Sequence, residues 1–495
     1  MTVIVRCLLA PPTLFMPDRI EDEFLDVALG DCRRNARVGQ VAGRLFESPA
    51  ASISAACGGW TEAMGAYRLL NNSETTPSLL IAPHQEMLVR RAATESCVLV
   101  IQDTTELDFT HMKTMTGRGP LNDESRQGFF MHSLYAVSEA GLPLGVLETS
   151  IVAREQETFG KSAARRHRPI EAKESFRWVE GYLRTQEVAR QLPDCEVISI
   201  SDREGDIYEV FEAWERAGQE GGPRAHWIIR GMKDRVLEGL DVEAPQKLFA
   251  ALAGAPELGT TEFSVTAKRS TKKVHGSTVQ TQRSARVVRQ RLRALRITPR
   301  RPYRRDSKLL PVSFWAVLAE EIDPPAGEDP LCWLLLTSLE VTTLEAARRI
   351  IALYLRRWDI EVFHRVLKTG CRVEQIQLKE KQAVLNCLTL YAIIAWRLLY
   401  LTHLGRQCPL LPCSLVFTDA EWRATCTVAA AKQIGGYKKG EPLQEPPLGE
   451  FIALVARLGG HLGRRGDHPP GAQALWQGLA RVRDFACTWE AIYQD

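Results

Sequence analysis

Apolar positions along the chain follow two different periods. From Phe24 to Leu29, and on through Val41 and Leu45, they recur at helical spacing. Ser52 to Cys57, a Gly58-Gly59 break and Thr61 to Leu70 read as a helix-turn-helix-like pair. Thr76-Pro77 is a cap followed by proline at the first helical position. Residues 1 to about 92 are therefore expected to be helical. From Cys97 the pattern changes. CVLVIQD (Cys97 to Asp103) and VISISD (Val197 to Asp202) are short, β-branched and apolar, and read as buried strands, each ending on an aspartate. Ser133 to Val137 and Leu144 to Ser150 flank Glu139-Ala140-Gly141 and predict a hairpin, and Pro169 to Gln191 predicts a helix. Beyond about Gln382 the chain is helical again, with a loop rich in Gly, Lys and Pro at Gly435 to Pro447.

The stretch YLRRWDIEVFHRVLK carries Tyr354, Arg357, Glu361 and Lys368 at spacings of 3, 4 and 7. At about 100° per residue this predicts one helix face for all four, with Ile360, Phe363 and Leu367 on another arc. Taken alone, such a face is most often a solvated row of ion pairs. It also suits a divalent metal beside a phosphodiester. Asp103 and Asp202 change that balance, because an acid ending a buried strand is costly to desolvate unless it is paired, hydrogen-bonded or metal-bound. For either aspartate alone, a cap or turn role is the commoner outcome. Three acids in the order strand, strand, helix resemble the DDE triad of an RNase H-like polynucleotidyl transferase.

The chain resembles the cut-and-paste DDE transposases of bacterial insertion sequences, in the branch of the transposon-five transposase. Their signature, Y-x2-R-x3-E-x6-K, is met by Tyr354, Arg357, Glu361 and Lys368. Further segments agree in order: LGDCRRNAR at Leu29 to Arg37, GAYRLLNN at Gly65 to Asn72, IQDTTELDF around Asp103, SDREGDIY around Asp202, and PLCWLLLTS at Pro330 to Ser338. The resemblance runs from about residue 24 to 380 and loosens after about residue 405. Asp359 stands where relatives can carry a basic residue.

The resemblance implies an α/β protein with an RNase H-like catalytic core, an inserted antiparallel β subdomain, and helical domains on either side. Residues 1–92 would bind the element's DNA ends, with Arg33, Arg34, Arg37 and Arg68 available to phosphates or bases. Residues 93–382 would be catalytic. Asp202 and Glu361 are 159 residues apart, more than any single crossover helix needs, so most of that stretch, about 225–342, would form the insertion. Its expected strands are Trp227 to Arg230, Arg283 to Ile297, Pro311 to Leu318 and Trp333 to Thr337. Residues 383–495 would form a helical region that pairs two subunits. Asp103, Asp202 and Glu361 would hold two Mg²⁺ or Mn²⁺ ions. Tyr354, Arg357 and Lys368 would grip phosphates, Trp333 would stack on a base flipped from a hairpin, and Arg230 would contact the same strand. For Trp333, a buried strand aromatic is the alternative. The implied partners are transposon ends, target DNA and a second subunit in a synaptic homodimer, in the bacterial cytoplasm with the nucleoid.

Composition adds limits. A chain of 495 residues, 25% charged and 45% hydrophobic, is ordinary for a globular protein of two to four domains. The net charge of +3 does not by itself indicate nucleic acid. Between Thr266 and Lys308, however, there are 15 Lys or Arg and one acid, Asp306. That density suits phosphate contacts, and equally a solvated loop. The 12 cysteines are scattered without a C-x-x-C pair, which reads as reduced thiols with no zinc site. MTVIVRCLLAPP is not a convincing signal peptide. The apolar run Ala383 to Thr402 contains Asn386 and Arg397, so a buried helix is expected rather than a membrane span. Metal-assisted phosphoryl transfer needs no protein nucleophile, so Ser199, Ser201 and His132 are assigned none. Two alternatives remain at this level: a resolvase or endonuclease of the same fold, and a DNA-binding regulator that does not cut.

Overall fold

The computed structural model describes residues 19–156, 169–238, 246–265, 268–274, 277–303, 309–440, 442–464 and 470–493. After a 3-10 turn at Ile20–Phe24 come α1 (Cys32–Glu47), α2 (Ile53–Cys57), α3 (Trp60–Leu70) and α4 (Pro77–Ala92). Then follow β1 (Cys97–Asp108), β2 (Gly119–Pro120), β3 (Gln127–Ser138), β4 (Pro143–Val152), α5 (Phe176–Gln191), β5 (Glu196–Ser201), α6 (Tyr208–Glu220) and β6 (His226–Arg230). The middle of the chain holds α7 (Leu248–Ala253), β7 (Glu257–Val265), β8 (Lys268–Val274), β9 (Ser277–Arg283), β10 (Arg286–Ile297), β11 (Phe314–Glu321) and β12 (Cys332–Thr337). The remainder is helical: α8 (Leu344–Leu355), α9 (Trp358–Arg365), α10 (Lys381–Gln407), α11 (Asp419–Lys432), α12 (Leu448–Leu458) and α13 (Ala472–Tyr493). Two compact units result, one of residues 1–96, 103–162 and 359–495, the other of residues 97–102 and 163–358.

The first unit is built around α10. This helix is apolar on all sides, and nearly every residue from Ala383 to Leu404 is buried against α3, α4, β4 and α12. It is long and apolar enough to cross a bilayer, but 94% of its most apolar window is buried inside the protein, as expected of a core helix. Asn386 donates from Nδ2 to the carbonyls of Leu70 and Thr75, so the buried amide is satisfied and ties α10 to the end of α3. Trp396 donates to the Pro143 carbonyl at the start of β4. Thr76 accepts from Leu79 N–H ahead of Pro77, the cap expected there, and Ser52 caps α2 by accepting from Ala55 N–H. Gly58, at φ 74°, makes the turn between α2 and α3 that a residue with Cβ resists. The hairpin of β3 and β4 runs as predicted, with Phe130 opposite Val152 and Ala136 opposite Gly145.

The second unit contains a mixed sheet in the order β1-β5-β6-β12-β11-β10-β7. Cys97–Ile101 of β1 pairs in parallel with Glu196–Ile200 of β5, and β5 pairs in parallel with β6. From β6 onward every pairing is antiparallel. The four strands expected between 227 and 337 are present as β6, β10, β11 and β12, shifted by up to three residues. Phe211, Trp227 and Phe314 fill the core behind β6, with ring centroids 4.6 to 5.1 Å apart. Three strands went unpredicted. β7 is half-exposed along most of its length, and the β8–β9 hairpin reads KRSTKKV and STVQTQR, so none carries a clear apolar alternation. Three boundaries differ by five residues or more: β3 begins at Gln127, six residues before Ser133. β1 continues five residues beyond Asp103, and the helix expected from Pro169 starts at Phe176. Residues 1–18 of the expected helical region lie outside the described residues.

A buried ionic group fastens the first helical turn of the first unit. Glu23 is fully buried, accepts from Arg91 Nη1 at 2.7 Å and faces His84 Nδ1. His84 Nε2 accepts from the Val146 N–H, which fixes the ring as neutral with its proton on Nδ1. Burial pushes the Glu23 carboxyl up, but His84 and Arg91 outweigh it and leave its pKa well below the ordinary 4.5. Burial holds His84 below 6.5. Both groups therefore contribute stability above their unfolded values and lose it as pH falls. We expect the melting temperature to decline from pH 6.5 downward. Glu23→Ala, which strands Arg91, should cost about 3–5 kcal/mol by denaturant titration. A loss below about 1 kcal/mol would show that the group is not a structural anchor.

Candidate active site

Asp103 and Asp202 are each the first residue to emerge from burial along their strand. In β1, Cys97 to Gln102 are buried and Asp103 is half-exposed; in β5, Val197 to Ser201 are buried and Asp202 is half-exposed. Asp103 therefore lies within a strand rather than at its end. Asp103 Oδ1 accepts from Thr104 N–H at 2.8 Å. Asp202 caps the 3-10 turn Arg203–Gly205, accepting from Glu204 N–H at 2.8 Å. His132, assigned no catalytic role, is buried and its Nδ1 lies 2.9 Å from Thr104 Oγ1. Ser199 accepts from Gln102 Nε2 in the sheet interior.

Five predicted site residues fall together in the second unit. Tyr354, buried in the last turn of α8, has its phenol in the fields of Arg357, Arg230 and Asp202. Burial raises its pKa against the two guanidinium groups, so it stays protonated and acts as a donor. The Arg230 guanidinium lies within hydrogen-bonding reach of the phenol oxygen, though off ideal geometry, and the phenol proton itself meets no acceptor. Arg230, at the end of β6, is half-buried, and the positive charges of Arg203 and Arg357 reach it. Trp333, on β12, is also half-buried and meets Tyr354 edge-on with ring centroids 6.5 Å apart. Its other aromatic neighbour is Phe263 of β7, stacked at 5.4 Å and 23°. Neither Arg203 nor Phe263 was singled out in the sequence. Arg203 stands inside the quoted SDREGDIY segment and could have been; Phe263 is a lone aromatic in a polar strand.

The single helix face predicted for Tyr354, Arg357, Glu361 and Lys368 does not exist. α8 ends at Leu355, Arg356 and Arg357 form a turn, α9 runs from Trp358 to Arg365, and Val366–Gly370 widens into a π-helical turn. Rotation per residue changes at both junctions, so a uniform 100° step cannot place the four side chains. Glu361 is half-exposed in the first turn of α9. Lys368 lies in the π turn with its Nζ 3.8 Å from Glu374, whose Oε1 accepts from the Asp108 N–H of β1. His364 is buried against Ser133 Oγ at 3.1 Å, and burial, then Lys368, lowers its pKa to about 3, so it is neutral.

In the helical region Arg33 and Arg68 are exposed. Arg34 donates to the Leu29 carbonyl, and Arg37 packs against Gly65 of α3. The basic stretch 266–308 is less available to phosphates than its composition suggests. Arg286 pairs with Glu321 and Glu328, Arg289 with Glu262, Arg291 with Glu257, Arg293 with Glu320, and Arg301 with Glu238. Those acids lie outside the counted window. Residues 266–267, 275–276 and 304–308 of the stretch lie outside the described residues.

The donors at Asp103, Asp202 and Glu361 are carboxylate oxygens, which suit Mg²⁺ or Mn²⁺ and not zinc. Among the described residues no three His, Cys, Asp or Glu side chains are gathered closely enough to hold a metal ion. The triad therefore rests on strand position and donor chemistry rather than on a ready-made cage. The Tyr354 hydroxyl gives a separate handle. A buried hydroxyl without a partner costs about 1–3 kcal/mol. Tyr354→Phe should leave the melting temperature of the DNA-free protein unchanged or higher, while lowering cleavage of DNA ends. Joint loss of melting temperature and cleavage would make Tyr354 a packing residue only.

Three family models match the chain: Transposase DNA-binding over residues 16–75, Transposase DDE domain over residues 218–397, and Transposase Tn5 dimerisation domain over residues 393–492. The DDE match takes in Arg230, Trp333, Tyr354, Arg357, Glu361 and Lys368, whereas Asp103 and Asp202 precede it. The tail, only loosely recognisable by eye, is covered by the dimerisation match. The matches establish a DNA-binding, dimer-forming and metal-dependent polynucleotidyl transferase with an RNase H-like core. The chain belongs to the DDE transposases of the Tn5 kind.

Proposed function

We propose that this transposase releases its element through hairpin ends and joins the resulting 3′-hydroxyls to target DNA, using Asp103, Asp202 and Glu361 as its metal-binding carboxylates. The observation that carries the reading is the grouping of Asp202, Arg230, Trp333, Tyr354 and Arg357 in one unit, with a half-exposed indole beside a phenol and two guanidinium groups. Bound divalent ions, taken as two Mg²⁺ or Mn²⁺, would supply an activated hydroxyl nucleophile and stabilise the leaving oxygen. First-strand nicking, hairpin formation, hairpin opening and joining are all in-line attacks on a phosphodiester, so one carboxylate set serves all four.

The chain's own residues have distinct tasks in this scheme. Tyr354 donates its phenol proton to a phosphate oxygen, while Arg230 and Arg357 neutralise its charge. Lys368, held by Glu374, adds a further cation. Trp333 receives the base that a tight hairpin forces out of the stack, recovering roughly 1–3 kcal/mol of lost stacking. Residues 1–92 recognise the ends, with Arg33, Arg37 and Arg68 toward DNA and Arg34 bracing α1. Residues 93–382 form the catalytic domain, with the antiparallel strands of about 225–342 as its insertion. Residues 383–495 pair two subunits in the synaptic complex, so that each brings one end. The setting is the bacterial cytoplasm, at the nucleoid.

The test is incubation of the full chain with its own flanking terminal repeats and Mg²⁺. Hairpin ends are expected; nicks alone would favour a resolvase, and binding without cleavage a regulator. Asp103→Ala, Asp202→Ala and Glu361→Ala should each abolish cleavage while leaving end binding within about twofold. Normal cleavage by any one of them would remove that residue from the triad. Deleting residues 1–92 should eliminate discrimination of the ends in a gel shift, leaving binding that weakens steeply with salt.

A further inference from the structure

Trp333 and Phe263 meet although their strands are not neighbours. Two strands, β11 and β10, separate β12 from β7. Trp333 is paired with Ala319, and Phe263 with Val288. Rings so placed in a flat sheet would not stack at 5.4 Å. The sheet must curl, and the register shows where. A β-bulge falls between Leu292 and Arg293, opposite the segment of β7 that contains Gly259. Gly259 has φ 142°, and a Cβ there would lie 2.8 Å from Leu344 Cδ2 of α8. Arg348 of α8 also donates to the Thr260 carbonyl of β7 at 2.7 Å. β7 is thus drawn onto the helix that carries Tyr354, and its Phe263 ring is brought to the indole on β12.

Phe263 does not follow from the fold's needs. It is half-exposed, between the exposed Glu262 and Ser264. An aromatic ring there buries less than a core residue, yet it lies within 23° of parallel to the indole and covers one of its faces. With Tyr354 edge-on, the ring is fixed from two directions and keeps part of its surface open.

We propose that Phe263 is a positioning residue for hairpin formation: it backs one face of Trp333 and so presents the opposite face to the extruded base. This deepens the reading of Trp333 as a base platform and rests on it. An indole backed on one side has fewer rotamers to lose when a base stacks on the other. Aromatic pairs of this kind contribute modestly, so the expected effect is roughly 2- to 10-fold on one step rather than loss of activity.

The experiment uses the full chain, its own end DNA and Mg²⁺, with 2-aminopurine at the base extruded from the hairpin. Phe263→Ala and Phe263→Leu should slow hairpin formation by roughly 2- to 10-fold, leave first-strand nicking unchanged and delay the 2-aminopurine fluorescence rise. Phe263→Tyr should restore the rate, because it keeps the ring. Phe263→Ala added to Trp333→Ala should slow hairpin formation no further. Equal slowing of both steps with a lowered melting temperature would reduce Phe263 to packing. Faster hairpin formation by Phe263→Ala would mean that the ring occupies the site the base must take, and would overturn the proposal. So would wild-type behaviour of Phe263→Leu. If Trp333→Ala itself leaves hairpin formation untouched, the platform reading fails. If Trp333→Ala slows that step and Phe263→Ala does not, only the role of Phe263 fails.

Discussion

The parallel ladder between Cys97–Ile101 and Glu196–Ile200 buries every side chain within it except Glu196. A sheet closed on both faces is built from apolar residues, and a polar group inside it must be bonded, as Gln102 is to Ser199. A carboxylate can appear only where burial ends. Asp103 and Asp202 stand at those two points, each two residues beyond a residue of the pair Ile101 and Ile200. Glu196, at the opposite end of β5, shows the other solution, an ion pair with Arg349 at 2.5 Å. The two aspartates thus follow from the desolvation cost of the ladder, standing where its burial ends.

What could be read from the sequence divides along physical lines. β1, β3, β4, β5, β6, β10, β11 and β12 all carry an apolar pattern, and each was expected, with bounds off by at most six residues. α10 was expected because a polar pair, Asn386 and Arg397, in an otherwise apolar run signals a buried helix. β7, β8 and β9 were hidden because their register comes from backbone pairing and carries little apolar contrast. The break at Arg356 and Arg357 was equally hidden. Neither Gly nor Pro marks it, and the following π turn is a tertiary adjustment with no local signature. The spacing of Tyr354, Arg357, Glu361 and Lys368 carries the family signature and falls within the DDE match, whereas the helical arithmetic that first suggested a common face does not hold.

Charge counting failed for a related reason. Fifteen cations against one acid describes a window of sequence, whereas electrostatics acts across strands. β10 lies between β7 and β11, and those neighbours supply Glu257, Glu262, Glu320 and Glu321 to its arginines. Cross-strand pairs of opposite charge stabilise a sheet by about 0.2–1 kcal/mol each. They also remove those cations from the set free to meet phosphate. Any DNA contact by this stretch must come from the remaining cations or outbid the glutamates, which would make it strongly dependent on salt.

The Tyr354 environment runs against the ordinary logic of a folded interior. A buried hydroxyl normally finds a partner for its proton; this one has the Arg230 guanidinium within reach of its oxygen but no acceptor for its O–H. A buried O–H left without an acceptor lowers stability. A phosphate oxygen is such an acceptor, anionic and able to take several charge-assisted bonds. On the proposed reading, the phenol proton and the half-exposed indole beside it match the two parts of a nucleic-acid strand, an anionic oxygen and a base.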